Sequence, residues 1–140
     1  MKSKNLSENI LRSVKSKGFK YIDLPSVIEA NHIVQRSGEN FRKFIFSFTD
    51  QNGSELCLRP DLTVASCISF LQKKSSSKIY YSGQAYRRSG NKGADFINDQ
   101  LGIEILGSKN QIQDDFKVIS TILSSAKKVK SKKFKSKLEI

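Results

Sequence analysis

The sequence predicts an α+β fold, a largely antiparallel sheet flanked by helices, on three observations. Residues 42–59 alternate at period two around a cluster of turn residues, and residues 78–88 and 100–106 alternate again as later strands. Between and around these runs, apolar residues recur at helical spacing. Strands and helices interleaved in this way build a sheet with helices packed on it. At 140 residues the chain fits one domain able to bury roughly 68–70% of its unfolded surface. With 9 Phe, 4 Tyr and no Trp, its core falls mainly to Phe, Ile, Leu and Val.

In chain order, Leu6, Ile10, Leu11 and Val14 predict a first helix that stops at Gly18. Phe19 to Leu24 follows as a strand closed by Pro25, which restricts the residue before it and cannot donate to a ladder. Residues 26–40 are expected to be irregular or briefly helical. Phe44, Phe46 and Phe48 then share one face of a hairpin over 42–59, turned by Asp50-Gln51-Asn52-Gly53 and ended by Pro60. Asp61 or Thr63 can cap the next helix, which runs to about Lys74 with Val64, Ile68 and Leu71 on one face. Serines 75–77 form a loop before the long strand Lys78–Arg88. Its parity puts Ile79, Tyr81, Gly83, Ala85 and Arg87 on one side and Tyr80, Ser82, Gln84 and Tyr86 on the other. Residues 89–95 form a glycine-containing loop expected to be mobile.

The strand over 100–106 separates Gln100, Gly102 and Glu104 from Leu101, Ile103 and Ile105, and polar groups along one side of a central strand imply a lined cleft. Ser108 and Gln111 predict a capping box for a helix with Ile112, Phe116, Ile119, Leu123 and Ala126 on its packed stripe. Phe134, Leu138 and Ile140 suggest an edge strand in the lysine-rich segment 127–140, beyond a domain over 1–126.

The net charge of +12 suggests a nucleic-acid partner until it is mapped. Residues 1–20 hold six Lys or Arg against one acid, and residues 126–140 hold seven Lys against one acid. Between 21 and 125, twelve bases meet eleven acids. The excess sits on the terminal segments, away from the aromatic strands, so nucleic acid is not the expected partner. His32 is the single histidine, and Cys57 and Cys67 lie ten residues apart, so neither a metal centre nor Ser/His catalysis is expected. No apolar run reaches the length of a signal-peptide core or a membrane span, and Glu8 argues against reading residues 1–18 as a transit peptide; a cytoplasmic protein with reduced thiols is expected.

Three strings carry a specific resemblance: SGENFRKFIFSFTDQNGSELCLRPDLT (37–63), KIYYSGQAYRR (78–88) and QLGIEILG (100–107). Together they resemble the class II aminoacyl-tRNA synthetase fold in its histidyl branch, from residue 6 to about 126. The first string looks most like the regulatory subunits of ATP phosphoribosyltransferase, which keep the histidyl-type fold without aminoacylation.

The resemblance implies a ligand-binding set of Asp61, Thr63, Arg87, Gln100 and Glu104, with histidine as the candidate ligand. The bottom-up reading agrees in kind. An ammonium and an imidazole offer donors for Asp61, Thr63, Gln100 and Glu104, and Arg87 can meet a carboxylate. Simpler roles stay open: Asp61 and Thr63 as helix caps, Arg87 and Glu104 as a structural ion pair, Arg59 as a structural residue.

The departures from the synthetases imply a non-catalytic chain. Ser89 stands where they carry a glutamate that helps hold ATP, Asp61 replaces their usual glutamate, and no glycine follows Gly107 to build their third motif. The chain resembles about the first half of a regulatory subunit. The implied partner is the catalytic subunit of ATP phosphoribosyltransferase, in the first step of histidine biosynthesis, with no cofactor and with a homodimer left open. The alternative is a histidyl-tRNA synthetase-like enzyme or fragment that binds histidine and ATP.

Overall fold

The computed structural model describes residues 2–73, 77–88 and 96–127. The expected loop at 89–95, the serines before Ser77 and the expected edge strand within 127–140 (past Lys127) lie outside the described residues. The secondary structure is α+β. A three-stranded sheet of order β1-β5-β6 holds β1 (Lys20–Tyr21), β5 (Ser77–Tyr86) and β6 (Ile97–Leu106), and a second of order β2-β4-β3 holds β2 (Val27–Glu29), β3 (Phe46–Thr49) and β4 (Glu55–Leu58). The second sheet is antiparallel, but β1 runs parallel to β5, with Lys20 opposite Ile79 and Tyr21 opposite Tyr80. The described residues form two compact units.

The first unit comprises α1 (Lys2–Lys15), β1, the start of β5, the end of β6, and α4 (Gln111–Lys127). Gly18, at φ +84°, takes the left-handed conformation that ends the turn after α1. Val14, Phe19, Tyr80 and Ile103 form the buried core, with Ile10, Leu11, Ile105 and Val118 packed against it. The strand expected over 19–24 shrinks to two residues.

α4 corrects two expectations. Its cap is Asn110, whose Oδ1 accepts the Gln113 N–H at 3.3 Å; Ser108 only shapes the approach, accepting the Asn110 N–H at 3.2 Å. The first three residues of the apolar stripe expected to pack are turned to solvent, with Ile112, Phe116 and Ile119 exposed at 85%, 73% and 57%, while Leu123 is half-buried. The buried face carries Thr121 and Ser125 instead. Ser125 donates to Ser13 Oγ at 3.1 Å, and Lys17 donates to Ser124 Oγ. Small hydroxyl side chains let α1 and α4 approach closely, and that approach selects the buried face of α4.

The second unit starts at Ile22. Residues 26–40 are more ordered than expected: β2 pairs with β4, placing Ile28 opposite Cys57, and α2 (Ala30–Ser37) buries Ala30, Ile33 and Val34 before Gly38 at φ +82° ends it. A 3₁₀ helix, Glu39–Phe44, takes Phe44 out of the expected hairpin strand. Its Arg42 joins Glu39 at 3.0 Å to Glu55 on β4 at 2.6 Å, and that hydrogen bond holds the Glu39 carboxyl below its usual range.

The hairpin turn is as expected, though its strands span only Phe46–Thr49 and Glu55–Leu58. Asp50 Oδ1 accepts the N–H groups of Asn52 and Ser54, each at 2.8 Å, and Gly53 takes φ +83°. Its aromatic face is the outer one, since Phe48 is exposed and the core is entered by Ile45 and by Cys57 of β4. On α3 (Thr63–Lys73), Val64 and Ile68 pack on the core while Leu71 is exposed, so the helix leaves the core a turn earlier than its spacing suggests. Among the described residues no helix is long and apolar enough to cross a membrane, and no cluster of His, Cys, Asp and Glu could hold a metal ion.

The reversed face of α4 predicts an uneven response to substitution. Phe116→Ser should leave urea-unfolding stability within about 0.5 kcal/mol of the parent, whereas Val14→Ala should cost about 1–3 kcal/mol. A large loss from Phe116→Ser would show that the stripe is packed.

Candidate functional site

The Leu-Arg-Pro-Asp-Leu-Thr string, 58–63, runs from the end of β4 into α3 within the second unit. Arg59 anchors it. Its main-chain N–H donates to Ser26 O and its carbonyl accepts from Tyr86 N–H, both at 2.9 Å, so the residue is tied on both sides through its backbone. Its guanidinium, with the residue only 6% exposed, donates to Gln84 O at 2.8 Å, to Pro25 O at 3.1 Å and to Leu24 O. The structural role left open for Arg59 is therefore the one it has. It also accounts for the short β1: the carbonyls of Leu24 and Pro25 serve a side chain where a ladder was expected. Gly83 makes room, because a Cβ there would stand 2.6 Å from Arg59 Nη2.

With Arg59 fixed, the next four residues are set. Asp61 Oδ1 accepts the Val64 N–H at 2.9 Å, so Asp61 caps α3 with one of its two oxygens. The Leu62 N–H donates to Gln100 Oε1 at 3.2 Å. That contact orients the Gln100 amide, since only its oxygen can accept, and it occupies one of the oxygen's lone pairs. Thr63 Oγ1 lies 3.3 Å from the phenol oxygen of Tyr81. Asp61, Thr63 and Gln100 are all half-buried. The structure thus gathers three of the five expected residues around one turn of backbone.

Arg87 packs on an aromatic side chain. Its guanidinium lies 5.0 Å from the centre of the Phe41 ring, and its N–H donates to Phe96 O at 2.9 Å. Arg88 follows the same pattern, stacked 4.9 Å from Phe46, which meets Phe96 edge to face at 5.6 Å. Glu104 is half-buried on the part of β6 that belongs to the first unit, with the same strand parity as Gln100 and Gly102.

Two participants were missed from sequence. Tyr81 is 5% exposed, and its ring lies directly on Gly102, where a Cβ would stand 2.4 Å from Tyr81 Cζ. The available signal was a glycine set between Gln100 and Glu104 in mid-strand, which marks a close approach by another group.

A family profile described as histidyl-tRNA synthetase matches residues 1–138. The chain belongs to the histidyl-tRNA synthetase family. Among relatives of this family, an ATP phosphoribosyltransferase regulatory subunit from Brucella ovis is 28% identical over 110 residues, 77% of this chain and 29% of the relative. The regulatory subunit from Brucella abortus matches to the same extent.

Two solved structures share the fold. One, from Bacillus halodurans, is described as an ATP phosphoribosyltransferase regulatory subunit/histidyl-tRNA synthetase, with TM-score 0.74 and 23% identity over 89% of this chain and 33% of that one. The other is apo histidyl-tRNA synthetase from S. aureus, with TM-score 0.74 and 19% identity over 94% and 31%. The α+β, class II synthetase-like expectation holds, as a part of that fold. The chain spans about a third of the length of these relatives, less than the half expected from sequence.

If Arg59 holds the string as described, Arg59→Ala should lower unfolding stability by about 3 kcal/mol or more, because a hydrogen bond to a charged donor is worth about 1.5–3 kcal/mol and Arg59 makes three. Arg12→Ala, on the exposed face of α1, is the control and should change it by less than about 0.5 kcal/mol. Equal effects in urea unfolding would remove Arg59 from its anchoring role.

Proposed function

We propose that this chain is a non-catalytic regulatory subunit of ATP phosphoribosyltransferase, acting in the first step of histidine biosynthesis in the cytoplasm, and that histidine is its ligand. The observation that carries the reading is the match to regulatory subunits of that enzyme across 77% of the chain, which includes the Leu-Arg-Pro-Asp-Leu-Thr string. The local chemistry supports it. Asp61 keeps one carboxylate oxygen beyond its cap, Gln100 keeps a lone pair beyond Leu62, and Thr63 brings a hydroxyl, so the turn offers acceptors suited to an ammonium. Arg87, in the same unit, supplies a cation for the ligand carboxylate. Ser89, two residues after Arg87, has neither the charge nor the reach of the glutamate that synthetases place there for ATP.

The direct partner of this reading is the catalytic subunit of ATP phosphoribosyltransferase. Its effect on that partner is a coupling between two sites: histidine shifts activity only if it binds the two states of the complex with different affinity. Co-expression with the catalytic subunit from the same genome should give co-purification and phosphoribosyl transfer that histidine lowers, and the mass of the complex would settle whether the chain is single or paired. The chain alone should show no histidine-dependent exchange between ATP and pyrophosphate. Robust exchange with no association would favour a synthetase-like enzyme and contradict the proposal.

A further inference from the structure

We infer that Tyr81 is a positioning residue for Thr63, holding the threonine hydroxyl on the side of the sheet that carries Gln100; its consequence for binding rests on the histidine reading above. Thr63 is the first residue of α3, and a threonine in helical backbone divides between two χ1 wells. The phenol oxygen of Tyr81, 3.3 Å from Thr63 Oγ1, favours one of them. Tyr81 is almost fully buried, so this contact is made where water competes little.

The ring has little freedom to leave. It rests on the backbone of Gly102, where a Cβ would stand 2.5 Å from both Cε2 and the hydroxyl oxygen. Any side chain at 102 would drive the phenol off Thr63. Gln100, two residues earlier on the same face of β6, holds the Leu62 N–H, so residues 62 and 63 are each fixed from the sheet by a different strand.

Gly83 does for Arg59 what Gly102 does for Tyr81. Each glycine clears a strand for one large side chain, and the two side chains support the Arg59–Thr63 segment at its two ends. When the phenol donates, Thr63 Oγ1 keeps a lone pair for a ligand ammonium, and the chain of bonds polarises it toward acceptance.

The test is Tyr81→Phe, which keeps the ring on Gly102 and removes only the hydroxyl. Three-bond couplings from Thr63 Cγ2 to its nitrogen and carbonyl carbon should report one χ1 rotamer in the parent and an average in the variant; unchanged couplings would overturn the inference. In calorimetric titration with histidine, Tyr81→Phe should bind about threefold to tenfold more weakly. The double variant Tyr81→Phe/Thr63→Val should bind no more weakly than Thr63→Val alone, and additive losses would mean that Tyr81 acts by another route. Should Tyr81→Phe fail to fold, Thr63→Ser decides. It keeps the hydroxyl without the branched methyl, so it binds like the parent if Tyr81 holds that hydroxyl, and a tenfold loss would assign the hold to branching alone. A parent chain that shows one rotamer, loses it in Tyr81→Phe and binds no histidine would sink the histidine reading and leave the positioning role standing.

Discussion

A positive charge buried against main-chain carbonyls is the constraint on which the second unit depends. Taking a guanidinium out of water is costly unless its donors are satisfied, and Arg59 meets that cost with Leu24, Pro25 and Gln84. Those carbonyls come from segments far apart in sequence, the loop after β1 and the C-terminal part of β5. The side chain therefore does what a longer β1 would have done through a ladder. Its backbone adds the bonds to Ser26 and Tyr86, and Pro60 then turns the chain toward α3. Asp61 and Thr63, two of the residues expected to face a ligand, follow within four residues of that anchor.

The two units differ in how they close. In the second, Cys57 sits at the centre of a three-stranded sheet with Ile28 and Ser47 opposite it, and burial pushes its thiol up to about 11. In the first, α1 and α4 meet through Ser13, Thr121 and Ser125, and Ile112, Phe116 and Ile119 of α4 point away from that contact while Val118 packs on the core. Small hydroxyl residues bury little apolar area but allow close approach and satisfy one another, so this helix pair trades hydrophobic burial for proximity. The exposed Ile112, Phe116 and Ile119 follow from that choice of face.

Sequence made the local features legible. The hairpin turn was readable because Asp50 and Gly53 act on their own neighbours, and the cap at Asp61 because its partner is three residues on. β1 is shorter than the expected strand and β2 falls where an irregular segment was expected, both for non-local reasons: β1 ends where Arg59 claims the carbonyls that follow it, and β2 exists because β4 pairs with it. The α4 stripe misled because periodicity identifies an apolar face without saying whether α1 offers it a partner.

Asp61, Thr63 and Gln100, singled out by pattern and resemblance, do come together at one turn, but the contacts that gather them were not legible. That Leu62 claims the Gln100 oxygen, and that Tyr81 lies on Gly102 beside Thr63, are facts of strand adjacency. A glycine between two polar strand residues was their only trace in the sequence.

The proposed histidine reading puts the ligand's donor groups at the turn held by Arg59. The Leu62 and Val64 amides are its built-in reporters, since one donates to Gln100 and the other to Asp61. A ¹⁵N–¹H spectrum of the chain titrated with histidine should move these two resonances first and furthest, as the ligand draws electron density from the oxygens they share. Saturation with both amides unmoved, or shifts confined to residues outside this turn, would contradict the account.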